Sequence, residues 1–283
     1  MTTVHQSLYP WLYGNQFNSF GDLIESFHGK GIVISTGDYH FKYAISTINT
    51  LRHVLNCTLP IEVFYSDEND LSSENQQLLA EFDNVYVSDL SNYSNNEIID
   101  VNGWATKPFA ILASRFEEVI LMDADVLYLR DPSELFKEKG YIEKGTLFFR
   151  DRTLYPGSHK GSKWLKEWMI NPLPETEASR FWNEQSIHEM ESSTVVIHKI
   201  KTILGLLNVC KLNELNYRQG VIYKMVYGDK ETFWMGFDMA RQPYYMSPIP
   251  CLFVGELVFQ NNDSSSILCG HNGHSLEDGQ LLY

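Results

Sequence analysis

The chain has 283 residues and a formal net charge of −14, and 43% of its residues are hydrophobic. So acidic a chain offers no general attraction to a polyphosphate backbone, which argues against nucleic acid as its partner. The hydrophobic content is typical of a globular protein and excludes wholesale disorder. The longest uninterrupted apolar run, residues 109–113, is far shorter than the roughly 20 residues of a membrane-spanning helix, so no such segment is expected.

Strand and helix patterns alternate through the first 130 residues. β-branched or wholly apolar runs bounded by turn residues predict strands over 32–34, 61–65, 85–87 and 119–122. Apolar side chains spaced three or four apart predict helices over 41–55, from Ser73 (a capping box with Gln76), and over 108–116. This alternation indicates parallel strands with right-handed crossovers, hence an α/β fold with a Rossmann-like, mostly parallel sheet flanked by helices.

The domain organisation is predicted to be one principal domain with a short lead-in. Residues 1–29 are rich in aromatic side chains and are expected to pack on the domain, which spans 30–283. The strand–helix alternation covers 30–130 and weakens over 131–283, which is expected to extend the sheet without an independent core. The four cysteines fit either two disulfides or four free thiols.

Two aspartates separated by one residue stand directly after the fourth predicted strand. Asp123 and Asp125 follow one apolar run and precede another, and an unpaired carboxylate near a core is costly. Because parallel sheets bind ligands at the carboxyl ends of their strands, we interpret the pair as ligands of Mg²⁺ or Mn²⁺, which prefer oxygen and bridge phosphates. The alternative is an ordinary turn. A metal would also give an acidic protein the positive charge that diphosphate binding needs.

One lysine lies just before the helix that leads to this acidic pair. Lys107 would complement a metal if it contacted a diphosphate, and it would need no special role as a surface lysine; the sequence favours neither reading. By contrast, residues 131–134 (Asp-Pro-Ser-Glu) form a helix-start signature, and the structural reading is preferred there.

Six segments resemble fungal α-1,3-mannosyltransferases of glycosyltransferase family 71. The matching segments are GIVISTG (31–37), LPIEVFY (59–65), WATKPFAIL (104–112), VILMDAD (119–125, with the Asp-x-Asp, or DXD, motif), GTLFFRDR (145–152) and GDKETFW (228–234). The resemblance covers about residues 8–283. Long matched strings are more specific than the Asp-x-Asp motif alone.

The resemblance implies a type-A glycosyltransferase (GT-A) fold and a metal-dependent, retaining transferase. The expected donor is GDP-mannose, the cofactor Mn²⁺ or Mg²⁺, and the acceptor a mannosylated glycan or glycoprotein that receives an α-1,3 linkage in protein glycosylation. Residues 30–130 would be the nucleotide-sugar-binding half and 131–283 the acceptor-side half. The family also implies the Golgi lumen, although its amino-terminal membrane anchor is not found in this sequence.

The same resemblance assigns roles to individual residues. Asp125 is expected to coordinate the metal and Asp123 to contact the metal or the ribose, with a third ligand from His274 or, second, His271, unless both are ordinary loop histidines. The expected donor-binding residues are Thr36, Gly37, Asp38, Arg52, Lys107, Asp123 and Ser192. The expected catalytic or sugar-positioning acids are Asp229, Glu231 and Glu191, although carboxylates at a helix start are usually caps.

Three alternatives share much of this pattern. A glycosyltransferase that uses a UDP-sugar would need the same metal and diphosphate groups. A non-catalytic glycan-binding relative would keep the fold, and Ser193, where family members often carry glycine, leaves this alternative open. A metal-dependent nucleotidyltransferase would also share the α/β half and the acidic pair.

Overall fold

The computed structural model describes residues 2–13, 17–259 and 266–283. The strands are β1 (Lys30–Ser35), β2 (Ile61–Tyr65), β3 (Val85–Asp89), β4 (Glu118–Asp123), β5 (Thr146–Arg150), β6 (Met190–His198), β7 (Leu252–Phe259) and β8 (Ser266–Gly273). The α-helices are α1 (Thr2–Leu8), α2 (Phe20–Glu25), α3 (Phe41–Asn49), α4 (Ser73–Ala80), α5 (Asn96–Ile99), α6 (Thr106–Ala113), α7 (Lys139–Lys144), α8 (Lys160–Trp168), α9 (Pro174–Glu177), α10 (Lys199–Leu212), α11 (Leu215–Tyr217), α12 (Tyr223–Met225) and α13 (Lys230–Met239).

A six-stranded sheet forms the centre of the molecule, in the order β3-β2-β1-β4-β6-β5. β1 is parallel to β2 and β4, and β2 is parallel to β3, whereas β6 is antiparallel to both β4 and β5. The carboxyl ends of β1, β2 and β4 therefore meet the amino end of β6 at one edge of the sheet. β7 and β8 form a separate antiparallel hairpin.

The core lies on both faces of the sheet because alternate strand residues point to opposite sides. In β4, Val119 and Leu121 join one buried apolar cluster with α6, α10 and α13. Ile120 and Met122 join the other, which includes side chains of α3 and α4. β4 is thus covered on both faces, as its uninterrupted apolar sequence predicts.

The predicted fold class is confirmed, because a mostly parallel sheet is flanked by helices. The four predicted strands correspond to β1–β4, each within two residues at either end. The helix predicted over 108–116 begins earlier and ends at Ala113. The predicted capping box of Ser73 and Gln76 is wrong, because Ser73 is the first residue of α4 and the preceding Ser72 forms no side-chain capping hydrogen bond. The backbone N–H of Ser72 instead donates to the carboxylate of Asp38 at 2.9 Å.

The lead-in packs against the domain through aromatic side chains. Trp11 is fully buried, its ring lies 5.1 Å from that of Phe109 at a near-perpendicular angle, and its Nε1 donates to Glu214 Oε1 at 2.5 Å. These contacts tie the amino-terminal segment to α6 and to the turn between α10 and α11.

Two further observations concern the cysteines and the apolarity of the helices. Cys57, Cys210, Cys251 and Cys269 are all free thiols. Across the described ranges, no helix has the length and apolarity that crossing a membrane requires.

We expect Trp11→Ala to lower the free energy of unfolding by about 3–5 kcal/mol, because it removes a fully buried ring and leaves Glu214 without its indole donor. Denaturant unfolding followed by circular dichroism measures the change. Val4→Ala is the control, since Val4 is 65% exposed and should change stability little. Equal stability of the two variants would mean that the lead-in does not belong to the folding unit.

Candidate functional site

A cavity of about 250 Å³ lies at the edge where the carboxyl ends of β1, β2 and β4 meet. Its lining comes from four chain segments: the end of β1 and the turn after it, the turn after β2, the start of α6, and the end of β4. The lining residues are Ser35, Thr36, Gly37, His40, Ser66, Asp70, Gly103, Trp104, Thr106, Lys107, Asp123, Ala124 and Asp125. The structure therefore brings five of the predicted site residues to one cavity.

A buried lysine organises the polar groups of this cavity. Lys107 Nζ lies 2.7 and 2.9 Å from the two carboxylate oxygens of Asp123, and it donates to the carbonyl oxygen of Ser192 at 3.1 Å. It also lies 3.9 Å from Asp229 Oδ2. Only 8% of the lysine side chain is exposed, so these contacts take place with little water. Lys107 thus joins α6, β4, β6 and the start of α13.

Burial and neighbouring charges have opposing effects on the pKa values of Lys107 and Asp123. Burial alone would lower the pKa of Lys107, but the charges of Asp123 and Asp229 outweigh it and hold the pKa above its ordinary value. Burial raises the pKa of Asp123 to about 6, although Lys107 pulls in the other direction. Lys107 is therefore positively charged, and the carboxylates of Asp123 and Asp229 already compensate this charge.

Asp229 is almost fully buried at the position just before α13, yet its side chain does not cap that helix. Its Oδ2 has no hydrogen-bond donor among the described residues. Burial raises the pKa of this carboxyl group, while Lys107 opposes the increase. A buried acceptor without a donor is costly and often marks a place that a ligand completes.

Asp125 differs from Asp123 although one residue separates them. Its side chain is exposed, and no described residue forms a hydrogen bond or ion pair with its carboxylate. Asp123 and Asp125 both line the cavity, and carboxylate oxygens are the ligands that Mg²⁺ and Mn²⁺ prefer. Within the described ranges, no group of three or more His, Cys, Asp or Glu side chains is arranged to hold a metal ion. A divalent cation held by these two aspartates would therefore need further ligands from outside the protein's described carboxylates.

Glu191 and His274 form a second buried ion pair beside the cavity. His274 Nε2 lies 3.2 Å from Glu191 Oε2, and the hydroxyl of Tyr283 donates to the same oxygen at 3.0 Å. Burial would lower the pKa of His274, but interactions with Cys251 and Glu191 raise it to about 9. The pKa of Glu191 is lowered, because His274 and Ser193 outweigh the effect of burial. His274 does not line the cavity of Asp123 and Asp125, and His271 is exposed in β8.

Glu231 is fully buried in the first turn of α13, and its carboxylate is occupied by donors from the protein. Oε1 accepts from the backbone N–H of Glu189 at 3.0 Å, and Oε2 accepts from Trp234 Nε1 at 2.6 Å. Glu231 therefore fixes β6 against α13, and it is not among the residues that line the cavity.

The residues predicted after β1 separate into two groups. Thr36 and Gly37 line the cavity. A Cβ on Gly37 would lie only 2.1 Å from Asp70 Oδ1, so the close approach of Asp70 leaves no room for a side chain at this position. Asp38 instead turns toward α4, where its Oδ1 accepts from Asn75 at 2.8 Å as well as from Ser72. The hydrogen bonds lower the pKa of this exposed carboxyl group.

Arg52 lies away from the cavity. Its guanidinium donates to the carbonyl oxygens of Cys57, Leu59 and Asp83 at 2.7, 2.8 and 3.0 Å. These carbonyls precede β2 and β3, at the sheet edge opposite the cavity. The structure therefore does not bring Arg52 together with the other predicted donor-binding residues.

Sequence reasoning missed several lining residues. Ser66 and Asp70 follow β2, and the same carboxyl-end argument that selects Asp123 would have selected them. Trp104 and Thr106 belong to the segment that supplied Lys107, but only the charged residue was chosen. His40 follows β1 by five residues, and no motif distinguishes it.

The chain matches a model of the protein family described as "Mannosyltransferase putative" over residues 29–275. It is 30% identical over 335 residues to "Putative alpha-1,3-mannosyltransferase MNN14" of Candida albicans, a match that covers 98% of this chain and 48% of that protein. It is 28% identical over 262 residues to "Alpha-1,3-mannosyltransferase MNT3" of Saccharomyces cerevisiae, covering 80% of this chain and 40% of that protein. The chain spans about half the length of the curated relatives it matches.

Among solved structures, the chain is similar to core-mannan synthase A of Aspergillus fumigatus in an Mn/GDP form. The two are 11% identical with a TM-score of 0.45, and the match covers 74% of this chain and 69% of that one.

We expect His274→Gln to remove the pH dependence that the buried histidine gives to stability. Because the folded-state pKa of about 9 lies above the ordinary 6.5, the stabilisation is complete below pH 6.5 and is lost as the pH rises through 9. It amounts to roughly 3 kcal/mol. Denaturant unfolding of the wild type and the variant at several pH values between 6 and 9.5 measures the difference.

His271→Gln is the matched control for this prediction, because His271 is exposed and should leave the pH profile of the wild type unchanged. The ion pair would be contradicted if His274→Gln and the wild type lost stability in parallel over this pH range.

Proposed function

This chain belongs to the family described as "Mannosyltransferase putative", and from that premise we propose that it is a metal-dependent, retaining mannosyltransferase. The proposed donor is GDP-mannose, the acceptor a mannosylated glycan or glycoprotein, and the product an α-1,3 linkage. The observation that carries the proposal is one cavity at the carboxyl ends of β1, β2 and β4 that contains Lys107, Asp123 and Asp125. Ligands of open α/β sheets bind at this edge.

The charges of the cavity support a requirement for a divalent cation. Its lining includes three aspartates, Asp70, Asp123 and Asp125, against one lysine, and that lysine is already paired with Asp123. A diphosphate would meet net negative charge there unless a cation bound with it. In this proposal Asp123 and Asp125 hold Mn²⁺ or Mg²⁺, which when bound neutralises charge on the departing diphosphate.

The protein's own groups have distinct proposed roles. Lys107 fixes the carboxylate of Asp123 in one orientation, and Thr36 and Gly37 offer the end of β1 to the nucleoside. Asp229 accepts a hydrogen bond from a hydroxyl group of the donor sugar, which would give its Oδ2 the hydrogen-bond donor that the described residues do not supply. Glu191 and Ser192 hold the amino end of β6 beside the sugar, through His274 and Lys107 respectively.

The third metal ligand expected from His274 is not retained in the proposed set. Its imidazole lies 3.2 Å from Glu191, and His274 is not among the residues that line the cavity of Asp123 and Asp125. Glu231 is proposed as a positioning residue that acts through Glu189. By the localisation of its family, the proposed compartment is the Golgi lumen.

Incubation with nucleotide sugars in the presence of Mn²⁺ tests the donor. We expect GDP-mannose, together with a mannobiose acceptor, to give a trimannoside whose new linkage is α-1,3 by NMR, and we expect EDTA to abolish its formation. Transfer from UDP-glucose or UDP-galactose alone would replace the mannose assignment with the UDP-sugar alternative. Absence of transfer from every donor would favour the non-catalytic glycan-binding relative.

We expect Asp125→Ala to lower kcat/KM for GDP-mannose by at least about 100-fold without lowering the free energy of unfolding. The reason is that Asp125 is exposed and free of protein partners, so its removal affects ligand binding and leaves packing intact. Steady-state kinetics and calorimetric titration with GDP and Mn²⁺ provide the measurements.

Asp83→Ala is the matched control, because Asp83 is an exposed aspartate before β3, at the opposite edge of the sheet. It should leave both kinetics and GDP binding unchanged. Full activity of Asp125→Ala would remove the acidic pair from the mechanism.

A further inference from the structure

Two large aromatic side chains are exposed beside the cavity that contains Lys107, Asp123 and Asp125. Trp104 is 49% exposed and Tyr227 is 59% exposed, and their ring centroids lie 5.1 Å apart. We call this pair the aromatic platform. Single exposed apolar residues need no explanation, but two adjacent large rings at the mouth of a cavity are typical of a binding surface.

The backbone holds the platform in place. Gly228 has a φ of +64°, a conformation that residues with a side chain rarely adopt. A Cβ at this position would lie 2.9 Å from Cε3 of Trp104, so the indole rests directly on the glycine backbone. The imidazole of His188 lies 5.8 Å from the ring of Tyr227 in an edge-type contact, and the Lys230 ammonium lies over that ring, 5.4 Å from its centroid. Trp104 thus rests on the backbone of Gly228, and about half of each ring-bearing residue remains exposed to solvent.

The platform comes from the same two chain segments that build the polar centre. Trp104 lies three residues before Lys107, and Tyr227 lies two residues before Asp229. Trp104 itself lines the cavity with Lys107 and Asp123. A ligand that rests on the platform would therefore adjoin a donor sugar bound in the cavity.

We propose that the aromatic platform of Trp104 and Tyr227 binds a pyranose ring of the acceptor glycan. One face of a pyranose presents C–H groups, which pack on the negative face of an aromatic ring, while its hydroxyl groups remain at the edge. The His188 imidazole and the Lys230 ammonium, which is paired with Asp151, add polar groups next to the Tyr227 ring. The acceptor role rests on the proposed function, whereas saccharide binding can be measured without it.

Titration with α-1,3-mannobiose in the absence of a donor tests the proposal. Saturation-transfer-difference NMR and intrinsic fluorescence should detect binding to the wild type, and Tyr227→Ala should raise Kd about tenfold. Tyr227→Phe keeps the ring and should remain within twofold of the wild type. In transfer assays Tyr227→Ala should raise KM for the acceptor, with Kd for GDP and Mn²⁺ unchanged.

Tyr217→Ala is the matched control, because Tyr217 is 46% exposed and belongs neither to the platform nor to the cavity lining. It should bind mannobiose as the wild type does. The proposal is overturned if the wild type binds no mannobiose, or if Tyr227→Ala binds it with unchanged Kd. Binding with the expected variant pattern but without transfer from any nucleotide sugar would support the platform and overturn the proposed enzymatic function.

Discussion

The buried ion pair between Lys107 and Asp123 is the interaction on which the rest of the site depends. The lysine is 8% exposed and contacts Asp123 and Ser192, with Asp229 only 3.9 Å away, so a single ammonium joins β4, β6 and the start of α13. Because burying a charge is expensive unless it is paired, removing either partner would leave an uncompensated charge. At this edge of the sheet, the ion pair of Lys107 and Asp123 therefore stabilises the contact between β4, β6 and the start of α13.

The charge balance of this region supports the proposed requirement for a divalent cation. Lys107 lies near the carboxylates of Asp123 and Asp229, and His274 is paired with Glu191. Two positive side chains thus balance three carboxylates, and Asp125 and Asp70 add two more negative charges to the cavity. The ion pairs compensate most of the buried charges, but the cavity retains an excess of negative charge. An arrangement of this kind suits a ligand that arrives together with a divalent ion.

Local sequence patterns predicted the parts of the molecule that depend on neighbouring residues. Apolar runs predicted β1–β4, and they placed Asp123 and Asp125 at the carboxyl end of β4, where both residues line one cavity. Their role in ligand binding stays a prediction. The pairing of Lys107 with Asp123 and Ser192 joins residues 16 and 85 positions apart, and no local pattern encodes such a contact. Arg52 illustrates the same limit, because its hydrogen bond to the carbonyl oxygen of Asp83 joins residues 31 positions apart.

The unequal state of the two aspartates has a consequence for how metal and nucleotide would bind. Both oxygens of Asp123 already contact Lys107, whereas the carboxylate of Asp125 has no described partner. In the proposed enzyme, the protein alone would offer a divalent ion one free carboxylate and one shared carboxylate, a weak site for ions that prefer six oxygen ligands. Diphosphate oxygens would complete the set, and the ion would in turn cancel the negative charge that repels the diphosphate. Each ligand would therefore raise the affinity of the other by the same factor, so the pair of aspartates would favour the joint binding of metal and nucleotide sugar over the binding of either alone.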